Sequence, residues 1–233
     1  MSAPTYSGYR FPRDVIQRAV WMYLRFTLSY RDVEDLLAER GIEVSYETVR
    51  RWVLTFGPAI ARRLRARRPK PHGRWHLDEM FVRIGGQQMY LWRAVDAEGE
   101  VLDVLVQARR DNAAARKLMR KLLKKHGTAP TEWVTDKYRG LWLGAEGTRD
   151  GPPGPCDGKA VEQPRRKLNV PVRRRERKLQ RFKSPGSAQR FLSLHAATYN
   201  VFTVDRHLTT ARTHRLFRAE AFATWREAAG VQA

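Results

Sequence analysis

The apolar positions near the start of the chain recur with the 3.6-residue period of amphipathic helices, in three successive stretches. The first begins after Pro12, a residue that suits the first turn of a helix. The second follows Ser29, a good N-cap, and ends at Gly41, a good C-terminal residue. The third follows Ser45 and runs towards Phe56. Three short helices with a tight turn before the last predict a helix-turn-helix arrangement.

The third predicted helix has an apolar face and a polar face. Val49, Trp52 and Val53 would hold it against the other two helices. In a helix-turn-helix protein the opposite face enters the major groove of DNA. A plain three-helix bundle with a solvated basic face explains the same pattern, since helix-turn-helix geometry has no strict sequence code. The residues predicted to face outward are Tyr46, Glu47, Arg50 and Arg51.

The three helices are predicted to belong to a first domain, residues 1–68, which ends at a linker. Residues 1–10 are predicted to be a disordered lead-in. Gly57 and Pro58 predict a break before a further, arginine-rich helix. Residues 69–73, which are rich in Pro and basic residues, predict a linker.

Beyond residue 74 the apolar period changes from helical to the two-residue alternation of strands. Three strands are predicted to be joined by hairpins and to be followed by a helix capped by Asp111 or Asn112 and by a returning strand. This order predicts an α/β architecture of the ribonuclease H type with a mixed sheet, which we place in residues 74–208. The predicted strands are residues 75–84, 89–95, 101–108 and 132–135.

Asp78 lies where a core-facing residue is expected on the first of these strands, and Asp136 lies at the exit of the fourth. In a mixed sheet with these strands adjacent, the two carboxylates could converge. Carboxylates are ligands that Mg²⁺ prefers, and two bound ions can assist a phosphodiester displacement. The alternative for Asp78 is an edge strand on which the acid faces water or pairs with an arginine.

The charge balance favours a polyanionic partner. The chain has 45 Lys and Arg against 24 Asp and Glu, a formal net charge of +21. Double-stranded DNA is favoured over a membrane, because no apolar run approaches the roughly 18 residues of a spanning helix. The single cysteine, Cys156, excludes an internal disulfide, so the expected setting is the cytoplasm.

Four motifs are spread over most of the chain. They are Trp75-His76-Leu77-Asp78-Glu79, Tyr90-Leu91-Trp92-Arg93-Ala94-Val95-Asp96, Thr135-Asp136-Lys137 and Arg173-Arg174-Arg175-Glu176-Arg177. Together they resemble one family, the bacterial insertion-sequence transposases with an Asp-Asp-Glu triad, within the insertion-sequence-six group. The resemblance implies that Asp78 and Asp136 are the first two catalytic acids and the ligands of two Mg²⁺ or Mn²⁺ ions. It also implies binding to terminal inverted repeats and target DNA, a homodimer, and a place at the bacterial nucleoid.

The third acid of the family does not carry over, because Arg166 stands at its position. A guanidinium there removes a ligand and repels a cation. Glu162 and Glu176 are weak surrogates. The arginines around Glu176 more plausibly pair with it or with phosphate, and a solvated structural glutamate is the expected role of both. Codons permitted for residues 162–169 spell the family motif Asn-Asn-Arg-Ala-Glu-Asn-Ser when read one base later. We therefore expect residues 139–169 to be out of frame and poorly ordered.

The sequence after this segment is basic. Its arginines suit contact with the DNA backbone, although a solvated face explains each of them equally well. They are Arg173, Arg174, Arg175 and Arg177. Residues 209–233 are predicted to be a basic tail.

The predicted functions are a transposase that is defective in this copy, or an inactive remnant that occupies element ends. A transcription regulator is disfavoured, because it would not need the acid pair.

Overall fold

The computed structural model describes residues 3–109, 111–135, 169–204 and 209–231. Within these residues the chain divides into two compact units, one of residues 1–68 with 193–233 and the other of residues 69–192. The elements, in chain order, are α1 (Arg13–Arg25), α2 (Tyr30–Ala38), α3 (Tyr46–Ala66), β1 (Arg74–Ile84), β2 (Gln87–Asp96), β3 (Val101–Gln107), α4 (Asn112–His126), β4 (Glu132–Thr135), α5 (Val170–Lys178), α6 (Pro185–Phe202) and α7 (Ala211–Ala228).

Side-chain caps fix the starts of α2 and α3. Ser29 accepts a hydrogen bond from the Asp32 backbone N–H, and the Asp32 carboxylate accepts one from the Ser29 N–H, which forms a capping box. Ser45 caps α3 in the same position. Between these helices Gly41 has φ +70°, a left-handed conformation that permits the tight turn. The three N-terminal helices predicted from the sequence are present.

Helix α3 runs without interruption through Pro58, so the break predicted at this proline is wrong. Pro58 has no N–H to donate to the carbonyl four residues earlier, and a proline inside a helix costs about 3 kcal/mol. Phe56, Ile60 and Leu64 are buried on both sides of it. Burial of this apolar stripe outweighs the local preference to end the helix.

The first residues of the described chain are packed, which corrects the predicted disordered lead-in. The Tyr6 ring stacks on Phe56 at 4.5 Å between ring centroids, and the Tyr6 hydroxyl donates to the Ala229 carbonyl at 2.8 Å. Tyr9 contacts the same phenylalanine, with ring centroids 4.9 Å apart. Aromatic contacts of this kind order a segment that lacks helical periodicity.

The segment predicted to be a basic tail contains helix α7. Trp225 is buried, and its indole N–H donates to the Gln17 side-chain oxygen at 2.8 Å. Phe222 packs against Trp21 and Phe202. These contacts group residues 193–233 with 1–68, whereas the sequence-based domains ended at residue 208.

The second unit contains a four-stranded mixed sheet with the order β3-β2-β1-β4. β1 pairs antiparallel with β2 and parallel with β4, and β3 pairs antiparallel with β2. Asp111 caps α4 by accepting from the Ala114 N–H at 2.8 Å. One face of the sheet forms an apolar core with α4, which includes Trp75, Leu77, Leu118 and Leu122. The predicted mixed α/β architecture is confirmed.

A membrane-spanning helix is not present in the described part of the chain, where no helix combines sufficient length with sufficient apolar character.

Candidate functional site

Asp78 lies on β1, which is an inner strand of the sheet. Side chains before it, Trp75 and Leu77, are buried on one face, and side chains after it, Met80 and Val82, are buried on the other. Asp78 belongs to the second face by alternation and is partly exposed. β1 pairs with β4 over residues 74–77, so the described ladder to β4 ends one residue before Asp78.

Arg93 lies directly opposite Asp78 on β2. It is 4% exposed, so this face of the sheet brings a buried guanidinium and a half-buried carboxylate together at neighbouring positions. Sequence reasoning did not single out Arg93. A signal existed, because the two-residue turn Gly85-Gly86 fixes the hairpin register, and Asp78 and Arg93 are each seven residues from it.

Asn169 is the second side chain at Asp78. Its amide N–H donates to Asp78 Oδ2 at 2.5 Å, across 91 positions of sequence. Asn169 is the N-cap residue of α5, although its side chain makes no capping hydrogen bond. The sequence gives no local signal for this contact, because it depends on how α5 packs beside β1.

The donor set of the described residues fits a divalent cation only in part. The Asp78 carboxylate and the Asn169 amide supply hard oxygens of the kind that Mg²⁺ and Mn²⁺ accept. No group of three His, Cys, Asp or Glu side chains able to hold a metal occurs among the residues described. The predicted ligand Asp136, as well as Arg166 and Glu162, lies outside the described residues.

Glu176, a weak surrogate for the third acid, is engaged elsewhere. It is 8% exposed, so the expectation of a solvated glutamate is wrong for this residue. Its carboxylate accepts from the Arg173 guanidinium at 3.1 Å. It lies seven residues beyond Asn169, which corresponds to roughly 10 Å along a helix.

The predicted arginines on α5 differ in exposure. Arg174 and Arg177 are exposed, and Arg173 is half-buried over the Phe81 ring at 5.5 Å. Arg175 is only 2% exposed, with its guanidinium 4.9 Å from the Phe191 ring centroid. A phosphate contact needs an exposed guanidinium, so the structure corrects the assignment of Arg175 to DNA binding.

The polar face of α3 has the arrangement that its sequence predicts. Val49, Trp52 and Val53 are buried. The Glu47 carboxylate and the Arg50 guanidinium form an exposed ion pair at 2.6 Å.

Tyr46 at the start of α3 is 40% exposed, and the Arg31 guanidinium of α2 lies 4.9 Å from its ring centroid. Sequence reasoning missed this contribution from Arg31. With Arg51, which is also exposed, these residues form a surface suited to a polyanion.

Comparison with known proteins connects the part of the chain that forms the sheet and carries Asp78 to a known family of domains. Residues 72–143, which include β1 to β4, match the family model of the DDE domain. A transposase for insertion sequence-like element IS431mec from Staphylococcus aureus (strain Mu50 / ATCC 700699) is 41% identical over 128 residues, 55% of this chain and 57% of the relative. The transposase for insertion sequence element IS257 in transposon Tn4003, also from Staphylococcus aureus, is 39% identical over 128 residues with the same coverage.

The fold and the match therefore define a protein with a DDE domain. The chain is similar to DDE-type insertion-sequence transposases, which supports the resemblance to the insertion-sequence-six family that the sequence motifs indicated. It spans 57% of the length of the curated relatives named above.

Proposed function

We propose that this protein is an insertion-sequence transposase in which a DDE domain with a ribonuclease H-like fold acts on DNA strands with Mg²⁺ or Mn²⁺. The observation that carries the proposal is the position of Asp78 in β1, an inner strand of a mixed sheet within the matched DDE domain.

The ladder between β1 and β4 supports a role for Asp136 in the same site. Paired residues differ by 58 in number, from Arg74 with Glu132 (132 − 74) to Leu77 with Thr135 (135 − 77). Asp78 and Asp136 follow directly in the sequence and also differ by 58. We therefore assign both carboxylates to one metal site.

In this proposal two divalent ions would stabilise the attacking and leaving oxygens of a phosphodiester displacement. Asp78 would hold the cation from the sheet. The partly buried position of its carboxylate, with apolar Met80 next to it on the same face of β1, limits water access and strengthens the electrostatic attraction. Water or a DNA 3′-hydroxyl would be the nucleophile.

We propose that this copy is defective, because Arg166 stands where the family has its third acid. The match to the DDE domain ends at residue 143, close to residue 139, where we place the start of the out-of-frame segment. That coincidence supports the hypothesis of two compensating changes in the gene. Sequencing the gene tests it, since a one-base shift must restore the family motif.

DNA recognition is assigned to the helix-turn-helix formed by α1, α2 and α3. The exposed side chains of Tyr46, Arg50 and Arg51 support contact with terminal inverted repeats in the major groove. The exposed Arg174 and Arg177, together with the half-buried Arg173, would add backbone contacts to terminal or target DNA. We further propose a homodimer in the bacterial cytoplasm, at the nucleoid.

The second candidate is an inactive remnant that binds element ends, which the position of Arg166 favours for this copy. A binding and cleavage assay on terminal-repeat and scrambled duplexes, with Mg²⁺ or Mn²⁺, separates the candidates. Preferential binding without cleavage identifies the remnant, and cleavage lost in Asp78→Ala identifies the active enzyme. Equal affinity for both duplexes would overturn the assignment of terminal-repeat binding.

A further inference from the structure

The side-chain amide of Asn169 has a hydrogen-bond partner at its nitrogen but not at its oxygen. Its Nδ2 donates to Asp78 Oδ2 at 2.5 Å, while its Oδ1 is buried and has no hydrogen-bond partner among the described residues. A buried carbonyl oxygen without a donor is unfavourable and therefore rare in native proteins. An oxygen of this kind beside a carboxylate is a place for a cation.

The contact of Asn169 belongs to a longer alignment of this segment with β1. Arg173, one helical turn after Asn169, lies over Phe81. Phe81 is three residues after Asp78 and, by alternation, on the opposite face of β1. Phe182 then forms a parallel bridge with Ile84 at the end of the strand. The contacts at Phe81 and Ile84 follow the same chain direction as the hydrogen bond from Asn169 to Asp78, which places this segment beside β1.

The Glu176 and Arg175 side chains of α5 are engaged away from the Asp78 carboxylate. The Glu176 carboxylate pairs with Arg173 and lies about 10 Å further along the helix axis. Arg175 is buried against Phe191. Asn169, the N-cap of α5, donates a hydrogen bond to Asp78.

We propose that Asn169 is the α5 ligand of the metal site at Asp78, with its amide oxygen in the place of a third carboxylate. This inference rests on the proposed metal-binding function of Asp78. The two ends of an amide exchange by rotation about one side-chain bond, which turns Oδ1 towards the cation and releases Asp78 Oδ2. A neutral oxygen attracts a divalent ion less than a carboxylate does, so the site binds metal weakly as it stands.

Substitution of Asn169 by an acid tests the proposal by metal binding rather than by activity. Isothermal titration of the full chain with Mn²⁺ should show about tenfold tighter binding in Asn169→Asp than in the wild type. Gln180→Glu is the matched control, because it adds the same charge at an exposed position just after α5. This control should leave the affinity unchanged. Asn169→Ala should bind Mn²⁺ more weakly than the wild type.

Thermal unfolding gives a second readout of the same variants. Without metal, Asn169→Asp should lower Tm, because two carboxylates then face each other. Mn²⁺ should raise its Tm more than that of Gln180→Glu, since a ligand bound only to the folded state stabilises it. In the double variant Asp78→Asn, Asn169→Asp, both the affinity gain and the extra Tm rise should disappear.

The outcomes separate this inference from the proposed function. If Asp78→Asn weakens Mn²⁺ binding but Asn169→Asp behaves like Gln180→Glu, the role of Asn169 is overturned and Asp78 remains a ligand. A gain in Asn169→Asp that persists with Asp78→Asn also overturns it. If the wild type and Asp78→Asn bind Mn²⁺ equally, the metal role of Asp78 itself is wrong.

Discussion

At the scale of single residues, Tyr6 has an ionisation that the fold alters. Burial raises the pKa of its phenol from 10.0 to about 12. The opposing attraction of the Arg63 and Arg13 charges is smaller. The folded state thus retains the phenol proton over a pH range in which the unfolded chain loses it.

The consequence is a pH dependence with a defined sign. Between pH 10 and about pH 12 the unfolded state gains stability by releasing the Tyr6 proton, so the unfolding free energy of the wild type falls. Tyr6→Phe should show a smaller fall over this range in urea titrations. Tyr9→Phe removes the hydroxyl of a second, exposed ring on the same Phe56 and serves as the matched control for loss of a hydroxyl. Parallel curves for Tyr6→Phe and the wild type would contradict this assignment.

Arg175 and Arg174 are adjacent in the sequence and differ in environment. Arg175 is buried over the Phe191 ring, whereas Arg174 is exposed. Arg175→Ala should lose roughly 2 kcal/mol of unfolding free energy, because a desolvated cation–π contact and the packing of the side-chain stem are removed.

Arg174→Ala is the matched change and should alter stability by no more than about 0.5 kcal/mol. Urea unfolding of both variants measures the difference. Equal losses would show that Arg175 is not held by its buried contacts.

Some residue-level features could be predicted from the sequence and others could not. Asp78 stands out because an acid interrupts an apolar strand, and its opposite residue Arg93 follows from the turn Gly85-Gly86. The contact between Asn169 and Asp78 does not follow, because no local pattern determines where a helix 91 positions away packs.

At the scale of elements, α3 carries the predicted DNA-contacting surface at its N-terminal end. Arg50→Ala and Arg51→Ala should each weaken terminal-repeat binding by about 1–3 kcal/mol if the side chain reads a base, with a smaller effect on scrambled DNA. Fluorescence anisotropy at one fixed salt concentration measures both affinities.

Arg62 provides a control on the same helix, since it is also exposed but lies near the other end. Arg62→Ala removes the same charge and should reduce both affinities about equally. If Arg62→Ala reduces the preference for terminal repeats as much as Arg50→Ala does, the recognition surface is not where we propose.

Elements with strong periodicity and clear caps could be predicted, and the exceptions have physical causes. The capping residues Ser29, Ser45 and Asp111 identify helix starts that the structure contains. Pro58 was misleading, since burial of Ile60 and its neighbours holds α3 together against the local preference of proline. Residues 3–10 and α7 were missed for a similar reason, because their order comes from aromatic contacts between distant segments.

At the scale of the whole molecule, the resemblance to insertion-sequence transposases could be found from motifs spread along the chain, but the grouping of segments could not be predicted. The hydrogen bond between Gln17 and Trp225 joins residues 208 positions apart, and no periodicity predicts such a pairing. The net charge of +21 predicts a polyanionic partner without identifying it. The charge does not identify the chemistry of the site, which we propose depends on Asp78, Asp136 and the missing third acid.

The claim that the metal site at Asp78 is incomplete is tested most directly by restoring the reading frame of residues 139–169 and measuring DNA cleavage. Cleavage of terminal-repeat DNA with Mg²⁺ or Mn²⁺ would be compared between the present chain, the restored chain and the restored chain with Asp78→Ala. We predict that all three bind the repeats and that only the restored chain with Asp78 cleaves them. Cleavage by the present chain, or cleavage by the restored chain that survives Asp78→Ala, would contradict an incomplete metal site built on Asp78.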